Sequence, residues 1–225
     1  MPHLFGQPAR ITELQNLGVP IIEDLAQAIG ARCHGRMAGG FGAMTICSFY
    51  ATKVFTTGEG GMVLADRDDL LAVARDMRDY DEKAQYQTRY NYKMTEFQAA
   101  LGLSQLQRLD AAVRERKRLA AFYDHALADL PCRRPPDLPG CDPIYYRYIL
   151  RLDMAARNFL AAMKKQQVAC RQPIYKPIHQ LLQTDDFPIT DNLWEKSASI
   201  PLYPGLTDQE LQHIITSIQT VLDDT

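Results

Sequence analysis

Two short apolar runs that end in chemically active side chains constrain this chain more than any other feature. The first, Val19-Pro20-Ile21-Ile22-Glu23-Asp24, reads as a buried strand closing on an acid, with Leu25-Ala26-Gln27 turning away from it. The second, residues 43–50, leads into Ser48-Phe49-Tyr50-Ala51-Thr52-Lys53 and then the glycine-rich turn Gly58-Glu59-Gly60-Gly61. An acid and a lysine at the carboxyl ends of neighbouring strands can meet across a crevice, which is where open α/β sheets bind their ligands. A lysine amine attacks carbonyls when its surroundings favour the unprotonated form, and Lys53 has Tyr50, Val54 and Phe55 around it with no acid nearby in sequence. Spacing alone also suits a surface lysine at a strand end and, for Asp24, a carboxylate that caps the following turn.

The remaining organisation is that of an α/β protein. Residues 10–17 form a short helix that Gly18 can end, residues 61–65 a third strand, and residues 68–78 a helix with Leu70, Leu71, Val73 and Ala74 on its apolar side. A tyrosine-rich polar loop spans residues 80–93, and helical periodicity returns from Thr95 to about Leu130. Pro131, Pro135, Pro136 and Pro139 mark the internal boundary, dividing the chain into residues 1–130 and 131–225. The second part opens on a strand with Ile144, Tyr146, Tyr148, Leu150 and Leu152 on one face. A helix over residues 154–166 and a short strand at 168–171 follow. The last helix opens with Thr207 and Glu210 in capping-box spacing and carries Leu211, Ile214, Ile215, Ile218, Val221 and Leu222 on one stripe.

Composition removes several function classes. Lys and Arg total 25 against 27 Asp and Glu, so no global field recruits nucleic acid or an anionic membrane. The basic cluster Arg114, Arg116, Lys117 and Arg118 is interrupted by Glu115 and reads as a solvated helix face. The five cysteines lack metal-ligand spacing and read as reduced thiols, and no apolar run reaches membrane-spanning length, so the expected location is the cytoplasm.

Read together, several ordered segments resemble the pyridoxal-phosphate-dependent sugar aminotransferases of the DegT/DnrJ/StrS type. They are Asp24-Leu-Ala-Gln27-Ala-Ile-Gly30-Ala31, Gly39-Gly40-Phe41-Gly42, Ser48 to Lys53, Thr57 to Gly61, and Tyr90-Asn91-Tyr92-Lys93-Met94-Thr95-Glu96. Tyr175-Lys-Pro-Ile-His179 and Ser199-Ile-Pro-Leu-Tyr-Pro-Gly205-Leu-Thr207 extend the likeness to the end of the chain. The resemblance implies a fold-type-I (aspartate aminotransferase) large domain, a truncated three-layer αβα sandwich, followed by a small α+β domain. It implies pyridoxal 5'-phosphate as cofactor, an amino acid donor such as glutamate, and a keto sugar nucleotide as acceptor. It further implies that Lys53 forms the Schiff base and shuttles the proton, and that Asp24 pairs with the pyridinium nitrogen. Gln27 would pack by the ring, Ser48 would contact the phosphate, and Asn91 would reach the phosphate of a neighbouring subunit's cofactor, making a dimer. His179 and Tyr175 could approach substrate, although a packing or hydrogen-bonding role is the favoured reading of His179.

The likeness begins at Pro2-His3-Leu4-Phe5-Gly6-Gln7-Pro8, well inside the family's large domain, so roughly a third of a complete enzyme is expected to be absent. The absent part would hold strands, the aromatic residue that stacks on the pyridine ring, and the helix N-terminus that grips the phosphate. Two other functions stay open beside transamination. One is a non-catalytic relative whose open apolar face docks on another chain, and the other is a sugar-nucleotide binding module. A truncated sheet exposes an edge that a partner chain or second copy would cover.

Overall fold

In the computed structural model, which describes residues 1–223, the first half of the chain forms a short 3-10 turn Leu4–Gly6, α1 (Ile11–Gln15), β1 (Ile22–Asp24), β2 (Arg32–Cys33), β3 (Arg36–Met37), β4 (Met44–Ser48), β5 (Gly61–Leu64), α2 (Asp68–Arg78) and α3 (Glu96–Leu106). There follow α4 (Leu109–Ala126), β6 (Cys132–Arg133), β7 (Cys141–Asp142), β8 (Tyr148–Leu152), α5 (Ala156–Lys165), α6 (Ile178–Leu182), α7 (Pro188–Glu195), β9 (Ser197–Ile200) and α8 (Asp208–Asp223). Contacts group them into two units. Unit 1 is Met1–Val113 with Asp137–Tyr146, and unit 2 is Arg114–Pro136 with the chain from Arg147 onwards. Pro131, Pro135 and Pro136 thus stay with unit 2, and Pro139 lies in the ten-residue segment that returns to unit 1.

Unit 1 is built on the sheet β1-β4-β5, in which β1 and β4 are parallel and β5 is antiparallel to β4. Pro2 bridges Asp24 in parallel on the other side of β1. Paired residues share a face and faces alternate along a strand. The registers Asp24↔Ile46 and Ile46↔Val63 therefore put Ile22, Asp24, Met44, Ile46, Ser48 and Val63 on one side. That side is open, with Ile22 51%, Ile46 41% and Val63 41% exposed. On the opposite side Glu23 and Thr45 are buried, and beyond the strands a core forms from Leu25, Ala28, Phe49, Phe55, Leu109, Val113 and Ile144. All four residues of β5 are exposed.

A buried clamp orders the loop between β3 and β4. The Glu23 carboxylate accepts the amides of Gly39 (2.7 Å), Phe41 (2.7 Å) and Gly42 (2.5 Å) and meets His3 Nε2 at 3.0 Å. His3 Nδ1 accepts the Ala9 amide, which leaves Nε2 to donate to Glu23. Burial pushes the Glu23 carboxyl up, but the bonds from His3 and the three amides outweigh it and hold the pKa at about 2. A Cβ on Gly42 would sit 2.6 Å from the Ile21 carbonyl, so glycine alone lets the loop come this close. The glycine-rich segment quoted for the family likeness thus has a structural reason in this chain.

Unit 2 carries the antiparallel sheet β6-β8-β9. Its core comes from both parities of β8 together with Phe159 and Met163 of α5 and the expected stripe of α8, all buried. The Thr207–Glu210 capping box forms as spaced, with the Thr207 hydroxyl accepting the Glu210 amide at 3.2 Å.

Four local expectations change. The strand read from Ile144 to Leu152 begins only at Tyr148, because Tyr145 takes φ 49 and breaks the extended backbone. The stretch 168–171 makes one bridge, Arg171↔Ser199, rather than a strand. Helix α2 buries none of its residues, and Val73 is 59% exposed. Arg116, read as part of a solvated face, is buried and donates from Nη1 to the Leu202 carbonyl at 3.0 Å.

Candidate active site

The parallel pairing of β1 with β4 brings Asp24 and Ser48 to the same end of the open face. Asp24 lies opposite Ile46, and strand spacing puts its Cα on the order of 8 Å from that of Ser48. The Asp24 carboxylate is oriented by its own turn, since Oδ1 accepts the Ala26 amide at 2.9 Å. Ser48 Oγ accepts the Tyr50 amide at 3.4 Å.

Lys53 stands at the tip of the loop that leaves β4. The Lys53 amide bonds the Tyr50 carbonyl at 2.9 Å, and the Phe49 carbonyl accepts both the Thr57 amide and the Thr56 hydroxyl. Phe49 also stacks edge-on with Phe55 at 4.6 Å, so the loop is closed on itself by an aromatic pair in the core. The Lys53 side chain is half-buried, with Nζ 5.5 Å from the centroid of the Tyr146 ring. Gln27 is held through Oε1, which accepts the Phe5 amide at 2.8 Å.

The other candidates lie further along the sequence. Asn91 is exposed on the loop after α2, between Tyr90 and Tyr92, whose rings stack at 4.9 Å. In unit 2, Tyr175 is 92% exposed, whereas His179 is tied to Asp191 at 2.9 Å and packs on Phe187 at 4.9 Å. Of the two readings left open for His179, hydrogen bonding and packing is what the local geometry displays. The Glu59 carboxylate makes no hydrogen bond among the described residues; the Thr57 hydroxyl holds the glycine-rich turn by donating to the Glu59 carbonyl at 2.6 Å.

Residues that sequence reasoning passed over are Tyr146, His3 and Glu23. No group of His, Cys, Asp or Glu among the described residues could hold a metal ion. Burial pushes the thiols of Cys47 and Cys132 up to about 11, as befits inert packed cysteines. No helix among the described residues is long and apolar enough to cross a membrane.

An acid with a fixed carboxylate, a hydroxyl two residues beyond its strand partner and a tethered lysine can serve a flat, anionic carbonyl cofactor with opposite ends to hold. The donor set fits pyridoxal phosphate: a carboxylate for a ring nitrogen, a hydroxyl for a phosphate, and an amine for the carbonyl.

Comparison with known proteins supports the same direction. GDP-perosamine synthase of Caulobacter vibrioides is 30% identical over 239 residues, covering 98% of this chain and 64% of that protein. The dTDP-3-amino-3,4,6-trideoxy-alpha-D-glucose transaminase of Micromonospora megalomicea subsp. nigra is 30% identical over 240 residues, covering 98% and 64%. The crystal structure of S. venezuelae DesV in complex with a ketimine intermediate superposes with a TM-score of 0.89 at 27% identity, covering 97% of this chain and 63% of that one. The chain thus spans a little under two thirds of the length of these relatives, and within that span it has the α/β fold of their family. Because residues 1–219, running through both units, match the DegT/DnrJ/EryC1/StrS aminotransferase family, the chain belongs to that family.

Proposed function

We propose that this chain is the lysine-bearing part of a pyridoxal-phosphate-dependent sugar aminotransferase, which moves an amino group from an amino acid such as glutamate to the keto carbon of a nucleotide-linked sugar. The observation that carries this is the placement of Asp24 and Ser48 at one end of the open sheet face, with Lys53 on the loop that leaves the same strand as Ser48. When bound, the cofactor supplies an electron sink that stabilises a carbanion beside nitrogen. Asp24 would pair with the ring nitrogen, and its orientation is set in advance by the Ala26 amide. Ser48 donates to the phosphate. Gln27, fixed through the Phe5 amide, packs by the ring. Lys53 would hold the cofactor through its amine and would move the proton between the donor carbon and the acceptor side of the transfer. Asn91, on its exposed loop, reaches the site of a second subunit in a dimer. The cytoplasm suits its reduced cysteines.

The test is to add pyridoxal phosphate, reduce with borohydride and map the modified peptide. The expected product is one adduct on Lys53 that disappears in Lys53→Ala and falls at least tenfold in Asp24→Asn. Labelling spread evenly over the lysines, or unchanged in Lys53→Ala, contradicts the assignment. A second reading is favoured by the open apolar face and the uncovered β5: the chain alone does not transaminate, and a further polypeptide segment completes the site. Under that reading the adduct becomes stoichiometric only when such a segment is supplied.

A further inference from the structure

We infer that Tyr146 is a positioning residue for Lys53, its ring providing the place where the lysine amine rests when it is not covalently engaged. The inference deepens the aminotransferase reading and rests on it for its functional meaning. Its physical content stands on the contact itself. Lys53 Nζ lies 5.5 Å from the Tyr146 ring centroid, inside the range of about 6 Å over which a cation is attracted by an aromatic face. The ring is 8% exposed while the lysine is only half-buried, so the attraction is of the size seen at solvent-accessible pairs. The Tyr146 hydroxyl also comes within 3.4 Å of Oγ1 of Thr52, the residue before Lys53.

The chain goes to some length to put this ring there. Asp137–Tyr146 leaves the sequence of unit 2 and returns to unit 1. Its near end is fastened by the Cys33↔Cys141 pairing of β2 with β7 and by the His34 amide on the Gly140 carbonyl at 2.6 Å. Its far end is fastened by the Ile144 amide on the Gly6 carbonyl at 3.0 Å. Gly6 has φ +93, and a Cβ there would lie 2.6 Å from the Tyr146 nitrogen, so only glycine lets this backbone settle. Tyr145, at φ 49, then turns the chain, and its hydroxyl bonds Asp137 at 2.9 Å.

A lysine that is attached and released in every cycle has a flexible stem whose freedom must be lost again at each return. A fixed aromatic face next to the loop tip limits that loss by keeping the amine near its point of attack. The face, and not the hydroxyl, performs this task, so phenylalanine should substitute and leucine should not.

The test uses the chain without cofactor. Brief acetylation by a succinimidyl ester, read by peptide mass spectrometry, gives the rate at Lys53 relative to the exposed Lys164. In Tyr146→Leu the Lys53 rate should rise about two- to fivefold, the loss of an amine–ring contact worth 0.5–1 kcal/mol, while Lys164 is unchanged. Tyr146→Phe should stay close to the parent rate. Equal Lys53 rates in the parent and Tyr146→Leu overturn the inference, as does Tyr146→Phe behaving like Tyr146→Leu. Should the leucine variant not fold, reductive methylation of the parent chain with an isotopic label settles the point. The Lys53 methyl signal, assigned with Lys53→Arg, should be shifted upfield by the ring, and a signal at the position of the exposed lysines overturns the contact. Acetylation needs no pyridoxal phosphate. A failed borohydride trap with the acetylation pattern intact therefore counts against the aminotransferase reading alone, and the reverse counts against the role of Tyr146.

Discussion

The sheets β1-β4-β5 and β6-β8-β9 are of equal strand number and opposite completeness. In unit 2, β8 is buried on both faces, with Tyr148, Ile149, Leu150 and Leu152 all in the core. In unit 1, β5 is exposed on both faces, and β1 and β4 are covered on one side only. A sheet buries both faces only where another layer packs on each. Unit 2 has built its hydrophobic contacts from its own residues, whereas unit 1 leaves unlayered the very face that ends in Asp24 and Ser48. Stability and chemistry are thus divided between different surfaces of the chain.

The sharpest way to break this comparison is to truncate one side chain in each sheet region. Phe159→Ala, at a fully buried position of unit 2, should cost about 3–5 kcal/mol in urea titration, while Val63→Ala on the open face should change stability by about 0.5 kcal/mol or less. A Val63→Ala cost comparable to that of Phe159→Ala would mean that β5 is covered in solution.

The closed side of the unit 1 sheet makes a prediction about acid. Glu23 has its pKa held near 2 against an ordinary 4.5, so between these values the unfolded chain binds more protons than the folded one. Its contribution, about 3 kcal/mol, is fully present above pH 4.5 and is lost as pH falls towards 2. In Glu23→Gln the acid-side slope of stability from this site should vanish, with the parent less stable by that amount at pH 2 than at pH 6. An unchanged slope in the variant would remove the clamp from the account.

The smallest effects concern the two capping boxes. Thr95→Ala and Thr207→Ala each remove a helix cap worth about 1 kcal/mol. Because α8 buries a full stripe and α3 buries only Gly102, the Thr207 variant should lower the midpoint of unfolding. The Thr95 variant should instead speed amide exchange within α3 and leave the midpoint nearly unmoved.

How much of this was legible in the sequence depends on whether the signal is local. The α8 stripe and cap, the bounds of α2, and strands β4 and β5 follow from periodicity and turn residues within a few positions. The two-residue strands β2, β3 and β7 carry no periodicity and exist through pairing with distant partners. Glu23 and His3 escaped for the same reason, since the bonds that define them reach across 16 to 20 positions. Tyr146 was misplaced because an alternation of period two ran through it, and one residue at positive φ, Tyr145, cut that run. Asp24, Gln27, Ser48 and Lys53 could be named from a resemblance, but the openness of the face on which Asp24 and Ser48 stand could not, because exposure is a property of what packs and not of the residues that wait for it.

The most direct test of the central claim is amide hydrogen exchange of the chain with and without pyridoxal phosphate. The account predicts slower exchange confined to residues 24–27 and 48–53, at the open end of the unit 1 sheet, with β8 and α8 unchanged. No change at these segments, or protection centred on unit 2, would contradict it.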